Sequence, residues 1–265
     1  MSIAFGYTIH TMSATLLTLF IEPLLNQDTY LAFAVVSGIG LVFYFMQPRR
    51  FYIIRHGETL LNAEHIRQGE DGALSERGRQ QAERHGRYLT RLPIQRIISS
   101  TYPRALETAT IVNSFVHVPL IPSKLLVERR NPSTIIGKHT DDPEVDQIVN
   151  QIDLAYHDDD YRLLDEENFA DLKQRARKCI GLFARQGARE TVVVTHHVFL
   201  KILVAYMLYG ERLHAHDFTK VTFFNFSDNA GITLCEFHPW KAFSATRGWE
   251  ILTYNKKVRV PEKST

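Results

Sequence analysis

With 265 residues, 45% of them hydrophobic and 23% charged, the chain is long enough for one substantial core and too apolar to be disordered. Its net charge of +2 is too slight to mark a nucleic-acid surface, and the arginines between Glu76 and Arg91 are interleaved with glutamates as on a solvated helix face. Cys179 and Cys235 fit no metal or disulfide spacing and read as buried reduced thiols, which suits a cytoplasmic domain.

Residues 1–48 stand apart from the rest. No lysine or arginine precedes Arg49, and Tyr30 to Met46 is an uncharged, almost wholly apolar run of 17 residues, at the short end of what crosses a bilayer as a helix. Its aromatic ends and the following Arg49-Arg50 read as an interfacial belt and a cytoplasmic flank. Ile3 to Leu25, interrupted by His10, Glu22 and Pro23, is a weaker apolar stretch that could form the first arm of a helical hairpin turning at Asn26-Gln27-Asp28. A cleavable signal peptide fits poorly, because no basic n-region is present. The expectation is a membrane anchor, a transmembrane helix, over 1–48 and a domain over 49–265 facing the cytoplasm. The alternative is a soluble chain whose hairpin packs on that domain or on a second protomer.

From Phe51 the pattern changes to alternating strands and helices. Phe51 to Arg55 is a short apolar run that stops at His56-Gly57, as an interior strand of a parallel sheet does. Asn62 to Asp71 is a polar loop expected to wall the active site, and Ser75 suits the N-cap of the next helix. Arg96 to Ser100 reads as a second strand, with Pro103 at the first helical position and Arg104 at the helix start. Val118 to Pro122 leads into Lys124 to Glu128, read as a strand ending in a carboxylate. Asp142-Pro143-Glu144 is a helix start, and Asp158-Asp159-Asp160 has the spacing of a solvated turn and not of a calcium loop. Phe169 to Ala184 has helical spacing with Leu172, Ala176, Ile180 and Phe183 inward. Thr191 to Thr195 is a strand running into His196-His197, Val198 to Tyr209 is a core helix stopped by Gly210, and three strands follow at Val221–Phe226, Gly231–Phe237 and Trp249–Tyr254. Lys256 to Thr265 is a polar tail, expected to be flexible. The expected fold is α/β, a three-layer α/β/α sandwich with a mainly parallel central sheet, preceded by the hydrophobic N-terminal segment. Four strand ends then offer His56, Arg104, Glu128 and His196 at the carboxyl edge, where such sheets bind ligands.

These residues also carry a resemblance. Arg55-His56-Gly57-Glu58-Thr59 with Asn62, Arg67-Gln68-Gly69, Ala73 through Gly78 to Ala82, Ser99-Ser100 through Arg104-Ala105 to Thr108-Ala109, and Val194-Thr195-His196 lie in the order seen in the histidine phosphatase superfamily, the phosphoglycerate mutase-like enzymes. The chain resembles that family over about residues 51–255. A neutral imidazole attacks phosphorus well and forms a phosphoramidate that can be passed on, a role the resemblance gives to His56. Arg55, Arg104 and His196 then form the cationic cluster around the transferring phosphoryl group, and Glu128 is the proton donor and acceptor. Glu58 by resemblance orients the nucleophilic loop, while Asn62 and His197 are expected to meet the substrate. His197 stands where many relatives have glycine, and Glu128-Arg129-Arg130-Asn131-Pro132-Ser133 departs from the family's glycine-containing motif. No cofactor or metal is called for, because the arginines supply the positive charge. His214 and His216 lack a third ligand and read as surface residues.

The leading reading is a metal-independent phosphomonoesterase working through a phosphohistidine on a small phosphorylated substrate. A phosphoglycerate mutase uses the same chemistry, but Glu128 to Phe169 lacks the long glycine- and tryptophan-rich insertion associated with mutases. A membrane-tethered, non-catalytic module that binds phosphorylated ligands is the third reading. Sugar phosphates, nucleotides, phosphoproteins and lipid phosphates all remain open as substrates.

Overall fold

A computed structural model describes residues 27–155, 158–221, 231–241, 243–244 and 246–257. The chain divides into two units, Met1–Gln47 and Pro48–Thr265. The described part of the first is one helix, α1 (Gln27–Met46), so Gln27 and Asp28 begin a helix and do not form the expected turn. Leu31, Phe33, Val36, Leu41 and Phe43 on this helix are 58–73% exposed. Among the described residues no helix is long and apolar enough to cross a membrane, which corrects the expected spanning helix. The helix has 20 residues, and its uncharged part, Tyr30 to Met46, has 17, the lower limit of what spans about 30 Å of hydrocarbon. The stretch Ile3 to Leu25 lies outside the described residues.

In the second unit the apolar runs pair into a six-stranded sheet of order β3-β2-β4-β1-β5-β6. Its strands are β1 (Arg49–Arg55), β2 (Arg96–Ser100), β3 (Leu120–Ser123), β4 (Glu190–Thr195), β5 (Gly231–Phe237) and β6 (Trp249–Lys257). The pairs β1–β4, β4–β2 and β2–β3 are parallel, with Ile53 opposite Val193 and Ile98 opposite both Val193 and Ile121. The pairs β1–β5 and β5–β6 are antiparallel, so the sheet is mixed although mostly parallel. Both faces are covered, which is why β1 and β4 are continuous apolar runs and not alternating ones.

Side-chain alternation divides the core into two layers. Phe51, Ile53 and Val193 pack with Leu172, Ala176, Phe183, Phe199 and Leu203 of α6 (Phe169–Arg185) and α7 (His197–Tyr209). Tyr52, Ile54, Val192 and Val194 pack with Leu89, Ala105, Ala109 and Val112 of α3 (Glu76–Leu89) and α4 (Pro103–Val116). The helix ends follow their capping residues: Ser75 accepts from Gly78 N–H, Pro103 and Pro143 occupy first turns, and Gly210 closes α7 at φ +59°. Two short helices, α2 (Leu60–Ala63) and α5 (Pro143–Leu154), and a last one, α8 (Ala215–Val221), complete the described set.

Two expected strands need correction. The chain does not run as a strand into Glu128: β3 ends at Ser123, whose Oγ accepts from Leu125 N–H and caps a 3₁₀ turn over Lys124–Leu126. Pro122 within β3 is tolerated because this is an edge strand. Val221, expected to open a strand, ends α8, and the remainder of Val221–Phe226 lies outside the described residues. Lys256 and Lys257, assigned to the tail, belong to β6, and residues 258–265 are outside the described set.

Candidate active site

The site forms where β1, β2 and β4 end. His56 leaves β1 and donates its backbone N–H to the Thr195 carbonyl at 2.9 Å, which locks the turn to the end of β4. The next N–H, of Gly57, donates to Thr108 Oγ1 at 3.0 Å, and that hydroxyl donates to the Arg104 carbonyl at 2.7 Å. Gly57 is also closely packed against backbone. A Cβ there would lie 2.4 Å from the carbonyl oxygen of Gly78, and one on Gly78 would lie 2.0 Å from that of Glu58. The start of α3 is thus seated directly on the histidine turn. Glu58 fastens it further, accepting from Ser75 Oγ at 2.9 Å and Arg77 Nη1 at 3.3 Å.

The His56 ring is 4% exposed and its Nδ1 lies 2.7 Å from the Gly57 carbonyl. A carbonyl only accepts, so Nδ1 carries the proton and Nε2 holds the free lone pair. Burial, then the charges of Arg55 and Arg104, hold the ring's pKa well below the ordinary histidine value. The imidazole is therefore neutral near pH 7, the form required of a nucleophile.

His196, the N-cap residue of α7, is fully buried with its ring centre 5.0 Å from that of His56. Its Nε2 shares a 2.7 Å hydrogen bond with Ser100 Oγ at the end of β2, and its Nδ1 has no partner. Burial and the neighbouring His56, Arg104 and Arg55 depress its pKa well below the usual value. His197 is depressed to about 3 by burial and by Arg55 and Lys201.

Arg104 is 3% exposed, and its Nη1 donates to the carbonyls of Gly69, Glu70 and Asp71 at 3.0–3.1 Å. The loop expected to wall the site is thus held by the same side chain that presents charge to it. Arg104 Nε is buried without a partner and remains as a donor. Arg55 belongs to the same cluster, since its charge acts on His56, His196 and His197 together.

Glu128 reaches the site from the irregular chain after the 3₁₀ turn. Its oxygens accept from the backbone N–H groups of Val198 (3.2 Å) and Phe199 (3.0 Å) in the first turn of α7, and from Arg129 N–H (2.9 Å). It also acts on the charge of Arg104, so the carboxylate and the arginine face a common space. A cavity of about 180 Å³ opens beside Glu128, lined also by Gln68, Tyr102, Arg129, Asn131 and Ile136. A larger groove of about 870 Å³ along α6 and β6 contains none of the site residues.

The structure therefore gathers His56, Arg55, Arg104, His196, His197 and Glu128. Asn62 is engaged locally, where its N–H donates to Thr59 Oγ1 at 3.1 Å and its Oδ1 accepts from Thr59 N–H at 3.4 Å, closing a capping box on α2. Only its side-chain NH₂ is left for a ligand. Sequence reading gave no role to Thr108 and Ser100 individually, although both fall inside the quoted motifs. Arg175 had no sequence signal, being one of several basic residues on an amphipathic helix.

A buried neutral imidazole thus lies among fixed arginines at the carboxyl ends of parallel strands, the edge where such sheets bind ligands. The sequence pattern of the histidine phosphatase superfamily (branch 1) matches residues 51–249, and the chain belongs to that superfamily. It is similar to the probable phosphoglycerate mutase GpmB of Erwinia tasmaniensis, with 29% identity over 160 residues, 59% of this chain and 74% of the relative. It is also similar to the 6-phosphofructo-2-kinase/fructose-2,6-bisphosphatase of Gallus gallus, 30% identical over 214 residues, which are 71% of this chain and 43% of that longer protein. Among solved structures, the mycobacterial glucosyl-3-phosphoglycerate phosphatase superposes with a TM-score of 0.63 at 24% identity, covering 80% of this chain and all of the other, a likeness of fold. YhfR of Bacillus stearothermophilus gives a TM-score of 0.64 at 26% identity, covering 79% and 98%.

Proposed function

We propose that this chain is a phosphomonoesterase acting through a phosphohistidine at His56, with Glu128 as proton donor and acceptor and no metal ion required. The observation that carries this reading is the state of His56: neutral, its Nδ1 tied to the Gly57 carbonyl, with Nε2 left as the reacting atom beside Arg55 and Arg104. In the first half-reaction the Nε2 lone pair forms a P–N bond as the ester P–O bond breaks, and Glu128 gives its proton to the leaving alkoxide. In the second, Glu128 takes a proton from water, the hydroxide forms a P–O bond, the P–N bond breaks, and inorganic phosphate leaves. Arg55, Arg104 and His196 donate to the non-bridging oxygens throughout, where a planar guanidinium fits two of them at once.

The short chain between Glu128 and Phe169 favours hydrolysis over return of the phosphoryl group to a bound product, the mutase outcome. The test is turnover of an aryl phosphate in excess chelator, with acid quenching to trap an acid-labile phosphoenzyme. Release of inorganic phosphate supports the phosphatase, and transfer to an added hydroxy acid without net release supports a mutase. No turnover with intact phosphate binding refutes catalysis and leaves a binding module.

We further propose that the exposed apolar helix α1 associates with a membrane surface. Flotation of the full chain with lipid vesicles, lost on deletion of residues 1–48, is the expected result. Equal flotation of both chains would refute it.

A further inference from the structure

Glu128 sits on chain that no strand or helix supports, since Val127 to Asn131 has no regular structure. Its carbonyls therefore need donors from elsewhere. Thr195 Oγ1 serves Leu126 at 2.8 Å. One guanidinium serves three more: Arg175 Nη1 donates to the carbonyls of Leu125 (3.1 Å) and Val127 (2.6 Å), and Nη2 to that of Glu128 itself (3.4 Å). The other edge of Arg175 is paired with Glu167, Nε to Oε1 at 2.7 Å and Nη2 to Oε2 at 2.6 Å, with both side chains largely buried. Glu167 in turn exchanges contacts with Arg130, accepting its N–H at 3.3 Å and donating its own N–H to its carbonyl at 2.9 Å. The guanidinium also lies over the Phe199 ring, 3.9 Å from its centre, and the N–H of Phe199 is one of the donors to the Glu128 carboxylate.

We propose that Arg175, held by Glu167, is a positioning residue that fixes the Glu128 carboxyl for proton transfer, gripping its main chain on one side and the residue that binds its oxygen on the other. This inference rests on the phosphatase reading above and deepens it. A lysine keeps the charge at this position but cannot hold three carbonyls, a bidentate carboxylate and an aromatic face together. The role is measurable, because a misplaced acid slows poor leaving groups more than good ones.

The experiment compares kcat and KM of the full-length chain on p-nitrophenyl phosphate and phenyl phosphate for wild type, Arg175→Lys, Glu167→Gln, Glu128→Gln and the double variant Arg175→Lys/Glu128→Gln. Arg175→Lys is expected to lower kcat/KM, which reports the step that expels the leaving group and not the later hydrolysis shared by both esters, about tenfold more on the phenyl than on the p-nitrophenyl ester. Glu167→Gln, the milder change should Arg175→Lys fail to fold, is expected to show the same selectivity to a smaller degree. In the Glu128→Gln background, Arg175→Lys should leave the ratio of the two rates where Glu128→Gln puts it. Equal losses on both esters, or a further change of that ratio in the double variant, would overturn the role of Arg175 alone. A wild-type chain inactive on both overturns the phosphatase reading and this inference with it.

Discussion

Acidification in phosphate-free buffer should weaken the fold through the site histidines, and His197 allows the effect to be sized. Its pKa is about 3 in the folded chain, from burial and the charges of Arg55 and Lys201, against an ordinary value of about 6.5 when unfolded. Between those values the unfolded chain binds a proton that the folded chain refuses. The stability contributed by the neutral ring is thus complete above about pH 6.5 and is lost as the pH falls toward 3. At pH 5 the loss is about 2 kcal/mol for this one residue, a ceiling because the side chain keeps some exposure, and a sizeable part of the ~5–15 kcal/mol typical of a domain. His56 and His196 act in the same direction. Replacing His197 with glutamine removes one titrating ring and leaves the other two. Urea unfolding of both chains at pH 7.5, 6 and 5 in that buffer, extrapolated to water, measures the difference. Wild type should lose about 2 kcal/mol more than His197→Gln between the extremes. Parallel losses in the two chains would show that His197 is not held neutral, and with it that the cluster is less electropositive than Arg55, Arg104 and Lys201 make it.

Three further outcomes follow from the same geometry. His56→Ala should abolish both turnover and the acid-labile phosphoenzyme while leaving the fold intact, checked by acid-quench labelling and circular dichroism; residual labelling at wild-type level would remove His56 from the mechanism. Glu128→Gln should lower kcat/KM for phenyl phosphate by about 100-fold or more and for p-nitrophenyl phosphate far less, since only the former leaving group depends heavily on a proton as the phosphoenzyme forms. Equal rates for the variant and wild type on phenyl phosphate would exclude Glu128 as the acid. Thr108→Val should cost about 1–3 kcal/mol and lower kcat, because it strands the Gly57 N–H beside the nucleophile; a urea midpoint unchanged from wild type would contradict that accounting.

The parts of this molecule that were legible in its sequence are those where a local rule and the global fold agree. Phe51 to Arg55 and Thr191 to Thr195 are apolar runs because both sheet faces are covered, and their abrupt stops at His56 and His196 mark the carboxyl edge where the site lies. Ser75, Pro103, Asp142 and Gly210 each act within a few residues of themselves, so their roles at helix ends could be read directly. Glu128 was singled out on chemistry but misplaced on structure. An apolar run ending in a carboxylate looks like a strand end, and nothing in those residues announces that Ser123 caps a turn first. The protonation of His196 was out of reach for a different reason: it depends on the sum of burial and surrounding charge, which spacing does not encode.

Arg175 illustrates the limit most sharply. Its helix buries Leu172, Ala176, Ile180 and Phe183, a pattern that explains every apolar position and leaves the basic ones looking like solvated surface. Yet Arg175 is largely buried, and its partners Leu125, Val127, Glu128, Glu167 and Phe199 come from separate stretches of chain. A catalytic side chain at a strand end is advertised by the strand. The residue we propose to aim Glu128 is specified only by the tertiary contacts, and the contribution to rate proposed for it would be visible only when substrates differ in how much they need a proton.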